Sequence, residues 1–368
     1  METLKITQVT HAFPPYHGGL SHVVEMLSKN LVAQGHEVEV VTLDPSAKLK
    51  KSEYLEGVKV KRFYGIAPSN CYFVPSPTAI SYLRSVRADV IHAHNIGALL
   101  VPAYWLAIRN KIDDFSFVLS PHHHLAGSTW HTKLFWKPYG PLARRIVQSA
   151  RIVHCVSKYE AKLVKEKFGA NSIVIQNGVA EDTFQCSWNP PSDCLVLTYA
   201  GRLEKYKRVH NIIKAAAILL RLGHKVSVRI IGEGPELQPI LRLSSRLGVA
   251  VQHYDFLPRK DYLELLSTSS YFVNPSRYEA FSIVTAEART IGLPAIVSRP
   301  WGEIFENSNN VLLVNGDSPS EIAQAATKTT KSQSREPYTF MSWGDVTKRL
   351  IREAYVPSLI ERNQETRH

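Results

Sequence analysis

Apolar residues recur along this chain in short, nearly unbroken runs, with helical spacing between them. In the first half the runs fall at residues 4–9, 38–42, 88–92, 117–120 and 152–156. A short apolar run without strict alternation is consistent with a strand buried on both faces, as in a parallel sheet. Between the first two runs, Val23, Val24, Leu27, Leu31 and Val32 share one face of a predicted helix, and Gly35 is placed to end it. The second half restarts the pattern. Leu195–Ala200, Val226–Ile231, Tyr271–Asn274 and Ala295–Ser298 read as strands. Residues 209–222, closed by Gly223, and 282–291 read as helices, and Pro235 suits a first helical turn.

Strands alternating with helices predict right-handed crossovers and parallel sheets. Two such runs predict an α/β chain of two doubly wound, Rossmann-like domains facing a central cleft. The 368 residues are enough for two cores. The boundary is expected within 178–191, which turns polar and ends in Asn189-Pro190-Pro191.

Composition narrows the class. Apolar residues make up 44% and charged residues 21%, which excludes a largely disordered chain. No apolar run reaches 18 residues, and residues 1–10 lack the basic start and long apolar core of a signal peptide, so a cytoplasmic location is expected. Cys71, Cys155, Cys186 and Cys194 are dispersed without C-x-x-C spacing and read as buried or free thiols, with a metal site or a disulfide framework as the alternatives. The formal charge of +12 favours anionic partners: phosphates, nucleic acid or an acidic membrane surface.

Several constellations carry candidate chemistry. Gly201-Arg202-Leu203, with Lys207 five residues after the arginine, lies where a strand gives way to a helix. Free N–H groups and the dipole at a helix start attract phosphate, and an Arg and a Lys there can neutralise a diphosphate. The alternative is a solvated basic loop, since Lys205 and Arg208 are also present. Glu279 and Glu287 flank a second helix start with Ser282 as N-cap; the N–H groups of Phe281, Ser282, Ile283 and Val284 suit a diphosphate, and Glu287 could accept from ribose hydroxyls. Two carboxylates that merely favour the dipole are the plainer reading. Gly18-Gly19 could let the backbone approach a ligand or form only a tight turn; Gly232 to Gly234 lacks the full dinucleotide fingerprint. His92, His94 and His122-His123-His124 follow candidate strands, where ligands of open sheets bind. They lack carboxylate or cysteine partners at metal-ligand spacing, and no D-x-D pair is present, so no metal and no other cofactor is expected. Residues 130–151 interleave Trp130, Phe135, Trp136 and Tyr139 with Lys133, Lys137, Arg144, Arg145 and Arg151. That mixture suits an anionic membrane surface better than nucleic acid, or else a helix that packs its aromatics inward. Pro138 and Pro141 argue against one continuous helix.

Taken in order, the motifs resemble glycosyltransferase family four, retaining enzymes of the GT-B fold, over nearly the whole chain. FPPYHGG (13–19), GHEVEVVT (35–42), ADVIHAHN (88–95), VSKYEA (156–161), IQNGVAEDTF (175–184), GRLEKYK (201–207), IIGEGPEL (230–237) and PSRYEAFSIVTAEA (275–288) carry the resemblance. It implies an acceptor domain at 1–180, a donor domain at 181–341, and a final helix at 342–360 crossing back to the first. It implies that Arg202 and Lys207 bind the donor diphosphate, with Gly19 and the backbone of 281–284. Glu287 would bind ribose, Glu279 would contact the transferred sugar, and His122 would touch that sugar. Residues 253–257 would flank the base. The implied reaction moves a hexose from a UDP- or GDP-linked donor to a hydroxyl, on a glycan or lipid-linked acceptor, without metal, with a peripheral place on the inner membrane face as one option. A nucleotide-sugar epimerase and a non-catalytic sugar-nucleotide-binding protein are the rivals. Three positions depart from the family pattern: Gln176 stands where proline is usual, and Arg208 and Ala280 stand where glycine is usual. Ala280 is expected to restrict its loop if that loop needs a positive φ.

Overall fold

A computed structural model describes residues 2–16, 18–68, 73–122, 130–305, 310–328 and 340–365. The chain divides into two units: Met1–Asn177 with Trp343–His368, and Gly178–Ser342.

The first unit opens with β1 (Lys5–Val9), α1 (Gly19–Ala33), β2 (Glu37–Asp44), β3 (Ser52–Leu55), β4 (Val58–Ile66) and β5 (Val74–Pro75). It continues with α2 (Pro77–Ser85), β6 (Val90–His94), α3 (Leu100–Ile108), β7 (Ser116–Ser120), α4 (Trp130–Gln148), β8 (Ile152–Cys155), α5 (Lys158–Phe168) and β9 (Ile173–Val174). The sheet order is β3-β4-β2-β1-β6-β7-β8-β9, with β5 pairing β4; β3 and β5 run antiparallel to β4 and the other pairings are parallel. Successive side chains of a strand point to opposite faces. Ile91 and Ala93 of β6 enter the apolar core with Leu83, Leu100, Tyr104, Ile146 and Phe168 from the helices. His92 and His94, one residue out of phase, are equally buried but outside that apolar cluster. They lie inside β6 and do not follow it, so the strand extends two residues beyond the expected His92. Polar residues read as a strand end, yet here they find buried partners.

The second unit contains β10 (Leu195–Ala200), α6 (Val209–Arg221), β11 (Val226–Ile231), α7 (Leu237–Leu247), β12 (Ala250–Tyr254), α8 (Arg259–Ser267), β13 (Tyr271–Asn274), α9 (Ile283–Ile291), β14 (Ala295–Ser298), β15 (Val311–Val314) and α10 (Pro319–Thr327). All its strands are parallel, in the order β12-β11-β10-β13-β14-β15. The reversal of winding on either side of β10 places the ends of β10 and β13 at a topological switch point, where open α/β sheets bind ligands. Pro235 lies ahead of α7, whose N-cap is Glu236, so it belongs to the preceding turn.

The chain then returns to the first unit as α11 (Trp343–Leu350), a π-helical turn at Ile351–Tyr355, and α12 (Val356–Glu365). Gln34 Nε2, at the end of α1, donates to the Gly344 carbonyl at 3.2 Å.

One expectation is overturned in α4. It runs through Pro138 and Pro141 as a single helix. Each proline deletes one helical hydrogen bond, but both side chains are exposed, so water can serve the freed carbonyls. The opposite face buries Tyr139, Ala143, Ile146 and Val147, which holds the helix together.

Candidate active site

At the end of β10 the backbone turns at Gly201, φ +141°. The loop after β11 zips onto it: Gly201 N–H donates to the Ile231 carbonyl at 2.9 Å, Leu203 N–H to Glu233 at 2.7 Å, and Glu236 N–H to Leu203 at 3.0 Å. A Cβ on Gly232 would lie 2.2 Å from the Gly201 carbonyl oxygen, and one on Gly234 would lie 2.4 Å from that of Leu203. These two glycines therefore serve backbone packing, which fixes the loop carrying Arg202. Arg202 itself is exposed.

Lys207 ends a short 3-10 turn and donates from Nζ to Glu279 Oε1 at 2.6 Å, with the two side chains 13% and 14% exposed. Burial alone would lower the lysine pKa; the Glu279 carboxylate, helped by Tyr206 and Tyr199, outweighs it and the pKa is raised. Lys207 is therefore cationic at neutral pH. Arg208, next in sequence, adopts the left-handed conformation, φ +55°, and pairs with Asp317 at 2.5 Å. The family's usual glycine thus has a conformational reason here. Ala280 is not among the residues of positive φ, so the restriction anticipated for it does not arise.

Asn274, the last residue of β13, ties the site together. Its Nδ2 donates to Ser282 Oγ at 3.1 Å, and its Oδ1 accepts from Ser276 Oγ at 2.6 Å. Ser282 caps α9, as its sequence position predicts: Oγ accepts from Thr285 N–H at 3.4 Å and from Thr285 Oγ1 at 2.8 Å. The segment 281–284 therefore stands at a helix start, where N–H groups lack helical partners. The Phe281 side chain turns inward onto Phe305 and Phe340.

Glu287 is buried on α9 and both its oxygens are engaged. Arg259 Nη1 donates to Oε1 at 2.6 Å, and Tyr262 OH donates to Oε2 at 2.7 Å. Arg259 also forks onto Asp182 at 2.9–3.0 Å. Burial alone would lower the arginine pKa, but Asp182 and Glu287 outweigh it and raise it above the ordinary value. An ionised carboxylate has about four lone-pair sites, so Arg259 and Tyr262 do not exhaust its capacity to accept. Sequence reasoning missed Arg259, Tyr262 and Asp182 in this role. Asp182 stood inside the IQNGVAEDTF motif; Arg259 and Tyr262 carried no local signal.

In the first unit, Gly19 begins α1 after Gly18, and a Cβ at either position would meet nothing within 4 Å. His122 lies two residues after β7, with Nε2 3.1 Å from His94 Nδ1. His17, Cys71, His123, His124 and the side chains of residues 130–135 lie outside the described residues. In α4, Tyr139 donates to the Ile96 carbonyl at 2.6 Å and Trp136 lies beneath Lys167 Nζ at 3.9 Å from the ring centre. These aromatics pack on the protein, while Lys137, Arg144 and Arg145 are exposed. Among the described residues no helix is long and apolar enough to cross a membrane.

Two doubly wound, mainly parallel units in tandem, with the last segment returned to the first, define the GT-B fold class. Sucrose-phosphate synthase from Thermosynechococcus elongatus shares it, with a TM-score of 0.72 at 18% identity over 98% of both chains. The family model described as Glycosyltransferase Family 4 matches residues 17–183, and that described as Glycosyl transferases group 1 matches residues 181–339. Glycogen synthase of Mycobacterium tuberculosis is 28% identical over 332 residues, covering 81% of this chain and 79% of its own. The GDP-mannose:cellobiosyl-diphosphopolyprenol alpha-mannosyltransferase of Xanthomonas campestris is 26% identical over 334 residues, covering 85% and 84%. The chain belongs to glycosyltransferase family 4, and its activity is glycosyl transfer from a nucleotide sugar.

Proposed function

We propose that the second unit binds a nucleoside-diphosphate hexose with its diphosphate against Arg202, Lys207 and the start of α9, and that the sugar moves to a hydroxyl acceptor with retention and without a metal. The observation that carries this reading is the Lys207–Glu279 pair at 2.6 Å, connected through Asn274 to the Ser282 cap. It sets a fixed cation, a carboxylate and a helix start at the ends of neighbouring strands. As the glycosidic bond breaks, charge grows on the leaving diphosphate. Prepositioned donors stabilise that charge without reorganising, and in many enzymes this effect supplies most of the rate enhancement. A basic pair and a helix start can do what a divalent ion does elsewhere.

Glu279 is assigned to the transferred sugar and Glu287 to the ribose. In the first unit the family resemblance assigns Gly19 to the diphosphate and His122 to the sugar. Attack from the same face as departure, with the leaving phosphate taking the acceptor's proton, is the mechanism we infer, because both glutamates are committed to binding. A lipid-linked acceptor is favoured by the name of the Xanthomonas relative, and the exposed Lys137, Arg144 and Arg145 of α4 support docking on an anionic membrane.

A thermal-shift panel of UDP- and GDP-linked sugars tests the donor, since a ligand at 100 times its Kd adds about 2.7 kcal/mol of stability. One class of donor should raise Tm, and turnover should survive EDTA. No shift with any member would overturn the donor assignment. An inverted anomer in the product, read by NMR, would overturn retention.

A further inference from the structure

Seven side chains of the first unit form one unbroken hydrogen-bonded chain on the face of the sheet opposite the apolar core. His154 Nε2 lies 2.9 Å from the Ile175 carbonyl, and His154 Nδ1 lies 2.8 Å from Ser120 Oγ. Ser120 Oγ lies 2.7 Å from His92 Nε2, and His92 Nδ1 lies 2.9 Å from Tyr355 OH. Gln8 Nε2 reaches Tyr355 OH at 3.3 Å, while Gln8 Oε1 lies 2.6 Å from His94 Nε2. His94 Nδ1 then meets His122 Nε2 at 3.1 Å. All but His122 are buried.

The polarity of this chain follows from one end. A carbonyl can only accept, so His154 Nε2 carries the proton and its Nδ1 accepts from Ser120. The Ser120 oxygen then accepts from His92 Nε2–H, and His92 Nδ1 accepts from Tyr355. The tyrosine oxygen in turn accepts from the Gln8 amide, which leaves the Gln8 carbonyl to accept from His94 Nε2–H. His94 Nδ1 must then accept, so His122 donates from Nε2. The amide orientation of Gln8 fits this order without reversal, although the order is set at the far end, by Ile175. Each ring nitrogen of His92, His94 and His154 has one role only if those three imidazoles are neutral. Burial lowers the pKa of His92, His94 and His154, and their neighbours His122, His11 and Arg349 add to the effect.

We infer that Tyr355, Gln8, His92, His94, Ser120 and His154 are positioning residues that fix His122 as its Nε2–H tautomer, with Nδ1 the accepting nitrogen. Tyr355 ends the π-helical turn, a rare geometry common at functional sites. The chain thus makes the carboxy-terminal segment part of the setting of His122. Its consequence for turnover rests on the reading of His122 as a sugar contact; the tautomer itself does not.

Two-bond 15N–1H correlation spectra of the full-length protein with 15N-labelled histidine test the inference. The wild type should show His92, His94, His122 and His154 all as Nε2–H. A single Nδ1–H ring among them would overturn the chain, whatever the variants do. In Tyr355→Phe the Gln8 amide loses its acceptor and can turn over, donating to His94 Nε2 and reversing the rings beyond it. The His122 signals should then shift to the Nδ1–H form, in whole or in a mixture. A folded Tyr355→Phe with His122 unchanged would overturn the inference. Turnover is a separate arm: kcat/KM with the donor found in the thermal-shift panel should fall about tenfold, the loss of one net hydrogen bond. A reversed tautomer with undiminished turnover would leave the chain standing and remove His122 from the proposed sugar site.

Discussion

In the first unit, His92, His94 and His154 are buried against hydroxyls, an amide and a carbonyl. In the second, the largely buried Lys207 and the half-buried Arg259 meet the carboxylates Glu279, Glu287 and Asp182. Both solutions satisfy buried polar atoms, but they store different things. A neutral network holds direction, because each donor fixes the next acceptor. An ionic network holds charge that can be redistributed. Lys207 is kept cationic by Glu279, and an arriving diphosphate would compete for it. The site proposed to stabilise changing charge is built from ions, and the one proposed to orient a ring is built from neutral groups.

Acid should separate the units most strongly. An imidazole whose folded pKa is depressed binds fewer protons in the native state than in the unfolded one. Stability therefore falls as pH drops below the unfolded value near 6.5, and it keeps falling until the folded pKa is reached. For His154 that is about 4; for His92 and His94 the shift is also well downward. A group that stays neutral in the fold contributes up to roughly 1.4 kcal/mol per pH unit, and all three act in the same direction between pH 6 and 5. Amide exchange protection of β6 and β7, corrected for intrinsic rates, should collapse in this window before that of β10 and β13. His210 gives the second unit one smaller liability of the same sign. Parallel loss in both sheets would break the contrast.

The ionic side is tested by Lys207→Ala and Glu279→Gln. Losing Lys207 should lower kcat by roughly 30- to 1,000-fold, equivalent to about 2–4 kcal/mol of transition-state stabilisation. Glu279→Gln keeps the shape and should lower turnover more than nucleotide affinity, since it is assigned to the sugar. If Glu279→Gln weakens nucleotide binding as much as Lys207→Ala does, the glutamate's role is to hold the lysine, and the division between the two collapses. Arg259→Met should cost less, about 1–2 kcal/mol of stability, because Arg259 is 37% exposed although Glu287 is 5% exposed. It should also loosen Glu287, raising the Kd for nucleotide with little change in kcat.

The sequence made the frame legible because most strands are buried on both faces. Leu195–Ala200 and Tyr271–Asn274 are largely apolar runs whose bounds coincide with β10 and β13. Where polarity intrudes, the pattern misleads. His92 and His94 concealed the end of β6, and β4 alternates Val58, Val60 with Lys59, Lys61 and was not anticipated. Pro138 and Pro141 concealed the continuity of α4 because propensity weighs less than a buried face. The cap at Ser282 was legible, being local. The partners of Glu287 were not: Arg259 is 28 residues away and Asp182 lies 77 residues from Arg259. Tyr355 is 263 residues from His92. Periodicity reports which face a residue occupies, and carries no information on which distant residue meets it there.

The smallest test compares two serines that play one local role in different surroundings. Ser157 caps α5, accepting from Glu160 N–H at 3.0 Å, and is fully buried. Ser282 caps α9 with a longer bond, 3.4 Å to Thr285 N–H, while also receiving Asn274 Nδ2 and Thr285 Oγ1. Replacing a cap serine by alanine costs about 0.5–2 kcal/mol. Ser157→Ala should fall at the upper end, since burial denies the orphaned amide water, and Ser282→Ala at the lower end for stability alone. If the start of α9 holds phosphate, Ser282→Ala should in addition lose part of the stabilisation that nucleotide provides, while Ser157→Ala should keep all of it. Thermal shifts with and without nucleotide read both quantities at once. Equal nucleotide shifts in the two variants would leave Ser282 as a helix cap like any other and move the phosphate contacts to Arg202 and Lys207.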